Sequence, residues 1–287
     1  MDITVSKTLP AKSKNTCLLV GMCGKSMSAT AQQIDKAGDG VLTRLVKRGD
    51  IKGTAGECVT VLDATGSGYE RIVVVGFGAT DKLTRTSYLK SLTLAFAAAK
   101  KTAAVTWISA LSEVEINHPD ESQSDIGDKP SHAESWKISQ QARLMRDSQY
   151  KFTGHKTGKK TSNQKSQATK GTLLVTQSTP RAARDAAKQG SAIATGCAVA
   201  RDLGNLAANI CTPSYLATLA RQYGRKHEQL KVNILGEKQI EKLGMGAFMA
   251  VSRGSRQEGK LFLMEYRGAA KSSKPVSYTH LTLPTKA

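Results

Sequence analysis

The sequence predicts an α/β protein whose first domain has a mostly parallel sheet between helices. Segments typical of strands alternate along the chain with segments typical of helices, which characterises this class. Residues 72–75 are apolar and β-branched at successive positions, as in strands that are buried on both faces. Residues 84–101 place Tyr88, Leu92 and Phe96 four residues apart, which gives a helix one apolar stripe to pack on such a sheet.

Six strands and three helical segments are predicted before residue 178. The strands cover residues 2–6, 17–23, 57–63, 71–76, 103–109 and 171–176. The helical segments cover residues 29–47, 84–101 and 133–150. Gly38, Asp39 and Gly40 interrupt the first of these and predict a break there. Residues 110–132 are rich in Ser, Asp, Glu and Pro, so we expect a surface loop.

A long helix is predicted over residues 180–203, because Pro180 suits a first helical turn and many small residues follow it. We interpret residues 179–204 as a connecting helix after a domain formed by residues 1–178. A helix over 213–226, a strand over 231–235, a helix over 237–243 and a strand over 260–267 come next. They predict the incomplete start of a second α/β domain over 205–276, whose last strand would have an unpaired edge.

Composition excludes several classes of protein. None of the 287 residues begins an apolar run near the ~20 residues that a bilayer requires, and the first residues lack the pattern of a signal peptide. We therefore expect a cytoplasmic protein with no membrane partner. The five cysteines are widely spread without a CxxC pair, which argues against a disulfide framework and a structural zinc site.

The net charge of +19 is not uniform along the chain, since no acidic residue lies between Asp147 and Asp185. Lysines there are interspersed with Gly, Ser, Thr and Asn, which predicts a flexible basic loop. Two interpretations stay open: a solvated insertion without a partner, or a nucleic-acid contact made by Lys156, Lys159 and Lys160. A single aromatic, Phe152, argues against base stacking.

No complete catalytic motif occurs in the sequence. Gly76-Phe77-Gly78 follows a strand, but Asp81 stands where a phosphate-binding fingerprint needs its third glycine. The histidines form no HExxH or HxH pair. The residues by themselves predict a basic α/β protein with no catalytic and no metal-ligating residue.

Three ordered blocks resemble the start of the catalytic domain of leucyl (cytosol) aminopeptidases, the M17 peptidase family. They are ARDLGNLAANICTPSYLA at 200–217, KLGMGAFMAVSRGS at 242–255 and LMEYRGA at 263–269. Ala207 and Ala208 stand where the family usually has proline, and Ser252 replaces a glycine. Residues 40–53 and 72–78 resemble the family's N-terminal domain more loosely, so the resemblance covers about residues 1–276.

The resemblance implies a second domain of the zinc-peptidase type, peptide substrates, two divalent ions (manganese or zinc) and a homo-hexamer in the complete protein. The family's glycine-rich segment, with a lysine and the first metal-binding aspartate, should follow residue 276. Residues 277–287 do not match it, and we expect them to be an unrelated tail. We therefore carry over no catalytic and no metal-binding residue, and expect this chain alone to bind no metal and to be inactive.

Two alternatives remain at this point. The chain could be a basic nucleic-acid-binding module, since some bacterial members of the family bind DNA. It could also be a regulatory or structural subunit without peptidase activity.

Overall fold

A computed structural model describes residues 1–10, 15–64, 66–116, 134–153 and 168–268. The contacts divide the chain into two compact units, Met1–Gly204 and Asn205–Ala287. No helix among the described residues is both long enough and apolar enough to span a bilayer.

Among its described residues, the first unit contains one sheet of seven strands. They are β1 (Asp2–Ser6), β2 (Thr16–Cys23), β3 (Ser26–Met27), β4 (Cys58–Leu62), β5 (Arg71–Gly76), β6 (Thr106–Ser109) and β7 (Lys170–Leu174). The order is β1-β7-β6-β2-β5-β4, with β3 paired to β2. The four pairs from β1 to β5 are parallel, and only β4 and β3 pair antiparallel to their neighbours. The predicted α/β class with a mostly parallel sheet is therefore confirmed.

Among the described residues, five α-helices cover the two faces of this sheet. They are α1 (Ala29–Ala37), α2 (Val41–Arg48), α3 (Arg85–Lys101), α4 (Glu134–Ser148) and α5 (Pro180–Asn205). Leu19 and Val73 pack in one core with residues of α3, α4 and α5. Leu18 and Val74 pack in a second core with residues of α1 and α2. Successive strand residues thus point into opposite cores, which explains why the central strands are apolar at every position.

The predicted break within residues 29–47 lies between α1 and α2. Asp39 has φ +54° and Gly40 has φ +73°, both in the left-handed region, so the first helix cannot continue. Asp35 then caps α2, because its Oδ1 accepts hydrogen bonds from the Leu42 and Thr43 amides at 2.6 and 3.0 Å.

The surface loop expected over residues 110–132 is wrong in its described part. Leu111 is fully buried and Val114 and Ile116 are nearly so, in and after a single 3-10 turn over Leu111–Glu113. The segment looked polar because of its carboxylates. However, Glu113 accepts hydrogen bonds from the amide (2.9 Å) and the hydroxyl of Thr30 in α1. Residues 117–133 lie outside the described residues.

The second unit contains three helices and two strands among its described residues. They are α6 (Pro213–Lys226), β8 (Leu230–Gly236), α7 (Glu237–Lys242), α8 (Gly246–Ser252) and β9 (Lys260–Tyr266). Thr212 caps α6 through its side chain, which accepts the Tyr215 amide at 3.3 Å. The helix α8 was not predicted. The strands β8 and β9 form an antiparallel pair, and on its other edge β9 has no partner among the described residues.

One carboxylate fixes the connection from β7 to α5. Glu134, at the start of α4, accepts hydrogen bonds from the Thr176 amide (2.7 Å), the Gln177 amide (3.0 Å) and the Ser178 amide (2.5 Å). Burial raises the pKa of the Glu134 carboxyl, but the donors on Thr176 and Ser178 outweigh it and lower the pKa overall. The ionised carboxylate therefore stabilises this turn.

The middle of α5 approaches α4 closely at one glycine. A Cβ on Gly190 would overlap the Ser139 carbonyl oxygen and lie 3.1 Å from the Ala142 Cβ. Gly196 lies in the same helix, and nothing lies within 4 Å of the place that its Cβ would take. Substitution of Gly190 therefore tests the close packing of the two helices. Substitution of Gly196 tests only the intrinsic cost of glycine in a helix.

We expect Gly190→Ala to lower the free energy of unfolding by about 1–3 kcal/mol, because the added methyl forces α4 and α5 apart. The matched control Gly196→Ala should raise it by about 0.5–1 kcal/mol, since alanine suits a helix better than glycine. Urea denaturation followed by circular dichroism measures both. Equal effects of the same sign would contradict the close contact at Gly190.

We expect Glu134→Gln to lower the free energy of unfolding at neutral pH by roughly 1–3 kcal/mol, since an amide cannot accept all these hydrogen bonds. The folded-state pKa of Glu134 is lowered from its ordinary value of 4.5. The stabilisation by the Glu134 carboxylate is therefore present above pH 4.5 and is lost as the pH falls through the folded-state pKa.

Urea denaturation of both proteins between about pH 3 and pH 8 tests this expectation. The difference between their free energies of unfolding should shrink below pH 4.5, which is the ordinary pKa of a glutamate carboxyl. A difference that does not change with pH would contradict it. Glu70→Gln is the control, because that carboxylate pairs with Arg71 at the surface and should contribute about 0–1 kcal/mol.

Candidate functional site

The candidate nucleic-acid residues Lys156, Lys159 and Lys160 lie outside the described residues. Of the same basic segment, Lys151 and Lys170 are described and both are exposed. The nucleic-acid contact therefore stays a prediction.

The first family-like block, at 200–217, begins on α5. The Arg201 guanidinium lies 3.6 Å from the Asp147 carboxylate and 5.4 Å from the centre of the Tyr150 ring. Asp202 accepts a hydrogen bond from the Tyr150 hydroxyl at 2.8 Å. Both charged side chains of the block thus bind the segment at the end of α4, and Asp202 serves to hold α5 in place.

The second block, at 242–255, covers the turn after α7 and the helix α8. Gly244 has φ +71°, a conformation that favours glycine, which explains the glycine at this point. Ile240 and Met249 are buried. Arg253 donates to the Glu241 carboxylate at 3.1 Å and joins the end of this block to α7.

Three other acidic side chains of the second unit also have partners near them. Glu237 accepts the Gly259 amide at 2.8 Å. Glu258 pairs with Lys260 at 2.6 Å. Glu265, in the third block, accepts from Arg267 at 2.7 Å. These carboxylates stabilise local turns and strand ends.

The two divalent ions that the resemblance implies require a defined set of ligands. A two-metal centre needs several carboxylate, imidazole or amine groups that converge on ions ~3.5–4 Å apart. In the described ranges, no three His, Cys, Asp or Glu side chains lie close enough together to hold a metal ion. These residues do not fit the metal centre, and no catalytic step through a metal is assigned to them.

Three cysteines in the sheet are poor candidates for a nucleophile. Burial raises the pKa of the Cys17 thiol to about 12. Burial, followed by the charge of Glu57, raises the pKa of Cys58 to about 11. Burial also raises the pKa of Cys23. The reactive thiolate is disfavoured at all three positions.

A buried polar chain beyond the end of β6 was missed from the sequence. Ser109 donates to Gln141 at 2.6 Å, Gln141 donates to the Tyr88 hydroxyl at 3.3 Å, and Tyr88 donates to the Leu111 carbonyl at 3.0 Å. The signal was Gln141, a polar residue beside Ala142 on the apolar stripe of α4. Its amide is satisfied at both ends, so the chain of bonds stabilises the core.

Lys137 is buried beside this network. Its Nζ donates to the carbonyl oxygens of Ser112 at 2.5 Å and Val114 at 2.9 Å. Burial lowers the pKa of this amine, although the charges of Glu134 and Glu115 oppose the shift. The amine is engaged with backbone, so its role here is to hold the segment after β6 against α4.

The comparisons with known proteins agree with the resemblance. The model of the cytosol aminopeptidase family, N-terminal domain, matches residues 19–159. The model of the catalytic domain of the same family matches residues 198–279. A probable cytosol aminopeptidase of Nitrosococcus oceani is 36% identical to this chain, and the alignment covers 96% of this chain and 52% of that relative. A probable cytosol aminopeptidase of Nitrosospira multiformis is 34% identical, and the alignment covers 96% of this chain and 51% of that relative.

Solved structures show the same fold. A mutant of tomato leucine aminopeptidase superposes with a TM-score of 0.70 at 23% identity, over 96% of this chain and 52% of that one. The bottromycin maturation enzyme BotP superposes with a TM-score of 0.63 at 17% identity, over 88% of this chain and 45% of that one. The chain spans about half the length of the curated relatives that it matches.

The two family models match the chain in the order N-terminal domain, then catalytic domain, and between them they cover most of it. Relatives about one-third identical over 96% of the chain carry the same family name. The chain therefore belongs to the cytosol aminopeptidase family.

Proposed function

We propose that this chain is the front part of a metal-dependent leucyl aminopeptidase, which releases N-terminal amino acids from peptides. The observation that supports this best is the match of the catalytic-domain model to residues 198–279. It follows the N-terminal-domain match in the family's own order. The relatives that cover almost the whole chain are named probable cytosol aminopeptidases.

In this proposal residues 1–178 form the N-terminal domain, residues 179–204 the connecting helix and residues 205–276 the start of the catalytic domain. The tail at 277–287 belongs to neither. The described residues contribute structure: Glu134 fixes the start of α5 and Asp202 fixes its end. Peptide bond cleavage belongs to residues of the complete protein that this chain lacks, which would also bind the two manganese or zinc ions.

The cellular setting follows from the same relatives. We place the complete protein in the cytoplasm, as the name of the relatives supports. We also propose that it assembles as a homo-hexamer and acts on peptides. The comparisons give no support to a nucleic-acid-binding module or a separate regulatory subunit, and no described residue favours either.

The experiment compares this 287-residue chain with the product of the uninterrupted gene from the same genomic DNA. Both are assayed on leucine p-nitroanilide with added manganese or zinc. We expect the longer product to hydrolyse it, to lose activity with a chelator and to regain it with metal, because metal activates the attacking water. We expect no hydrolysis above the blank from the 287-residue chain.

N-acetyl-leucine p-nitroanilide is the control substrate, because an aminopeptidase requires a free amino terminus. A folded longer product that cleaves none of a set of aminoacyl nitroanilides would contradict the proposed function. Equal hydrolysis of the acetylated and free substrates would show a hydrolase of another class.

A further inference from the structure

A groove on the first unit lies between the edge strand β1 and the helices α4 and α5. Asp2, Ile3, Thr4 and Val5 form one wall of the groove. The other wall carries three cationic side chains: Arg146 of α4, and Arg184 and Lys188 of α5. None of its lining residues belongs to the three blocks that resemble the catalytic domain.

The strand β1 offers an open backbone edge to this groove. Among the described residues β1 pairs only with β7. The Asp2 amide donates to the Thr169 carbonyl at 2.8 Å, and the Ser6 carbonyl accepts from the Val175 amide at 2.9 Å. The backbone amides and carbonyls of the even-numbered residues of β1 therefore point toward β7. The amides and carbonyls of Ile3 and Val5 alternate with them and point outward, where they can pair with another strand.

The charges of the groove favour an anionic partner. Arg184 and Lys188 are exposed and stand four residues apart on α5, so they lie on one face, where like charges repel. No carboxylate among the described residues forms an ion pair with Arg146, Arg184 or Lys188. Asp2 is the one acidic side chain in the described lining.

We propose that this groove binds an acidic segment of another polypeptide, which adds to β1 as an extra strand. Its backbone would pair with the outward amides and carbonyls of Ile3 and Val5, as in β-augmentation. Side chains of a strand alternate between its two faces. Ile3 and Val5 pack against the core under the helices, so carboxylates on that face of the added strand would meet Arg184 and Lys188.

An extended peptide fits this groove better than a nucleic acid does. A phosphate backbone uses cations but leaves the outward amides and carbonyls of Ile3 and Val5 without matched partners. Single-stranded nucleic acids are usually held by stacking of bases on aromatic side chains. No aromatic side chain occurs in the described lining of the groove.

Fluorescence anisotropy with the 287-residue chain tests the proposal. The probe is a fluorescein-labelled peptide in which glutamate alternates with threonine, at low salt to limit screening. We expect saturable binding, and no binding of the same peptide with lysine in place of glutamate. The double variant R184Q/K188Q should weaken binding about three- to tenfold. The matched control K36Q/K47Q removes two exposed cations of α1 and α2 and should leave binding unchanged.

Two further arms test the backbone pairing. Val5→Pro removes an outward amide and keeps the bonds to β7, a position where an edge strand accepts proline. It should weaken binding at least as much as R184Q/K188Q does. If that variant melts at a lower temperature, the probe with N-methylated amides replaces it and should fail to bind to the unaltered chain.

The alternative outcomes are distinct. Equal binding to R184Q/K188Q and to K36Q/K47Q would overturn the proposal. So would binding that resists both Val5→Pro and N-methylation. Binding of a single-stranded oligonucleotide as tight as that of the acidic peptide, with no effect of Val5→Pro, would show a general surface for polyanions. A failure of aminopeptidase activity in the longer gene product would leave this result unaffected.

Discussion

The contact between α4 and α5 determines where α5 lies on the first unit. Glu134 fixes the turn that leads into α5. Gly190 lets the middle of α5 touch the backbone of α4. Asp202, near the end of α5, bonds to Tyr150 beyond the end of α4. The helix α5 is thus held at its start, middle and end by contacts with α4 and with Tyr150 beyond it.

Most of the first unit could be predicted because its strands are buried on both faces. Residues 71–76 were predicted with the bounds of β5, since a β-branched apolar run leaves few other structures for such a segment. The segment after β6 could not be predicted. Its buried part contains Glu113, and a carboxylate that caps a distant helix has the same composition as one in a surface loop.

The candidate site illustrates a different limit. The resemblance identified residues 200–217 as the start of the catalytic domain, and the catalytic-domain model matches them. It could not show that Arg201 and Asp202 contact Asp147 and Tyr150, because these pairs lie far apart in the sequence. The role of a charged residue depends on which partner the fold brings to it. The sequence alone could therefore not distinguish a ligand from a packing contact.

The same reasoning accounts for the position of the free positive charge. The net charge of +19 suggested a basic loop after residue 147. In the described residues, the carboxylates of Asp35, Glu113 and Glu134 are directed inward to backbone amides. They cannot neutralise cations at the surface. Arg184 and Lys188 form no ion pair with a described carboxylate and lie beside the open edge of β1. An acidic strand that paired with β1 would bring negative charges to Arg184 and Lys188. The carboxylates of the first unit named above bind backbone amides instead.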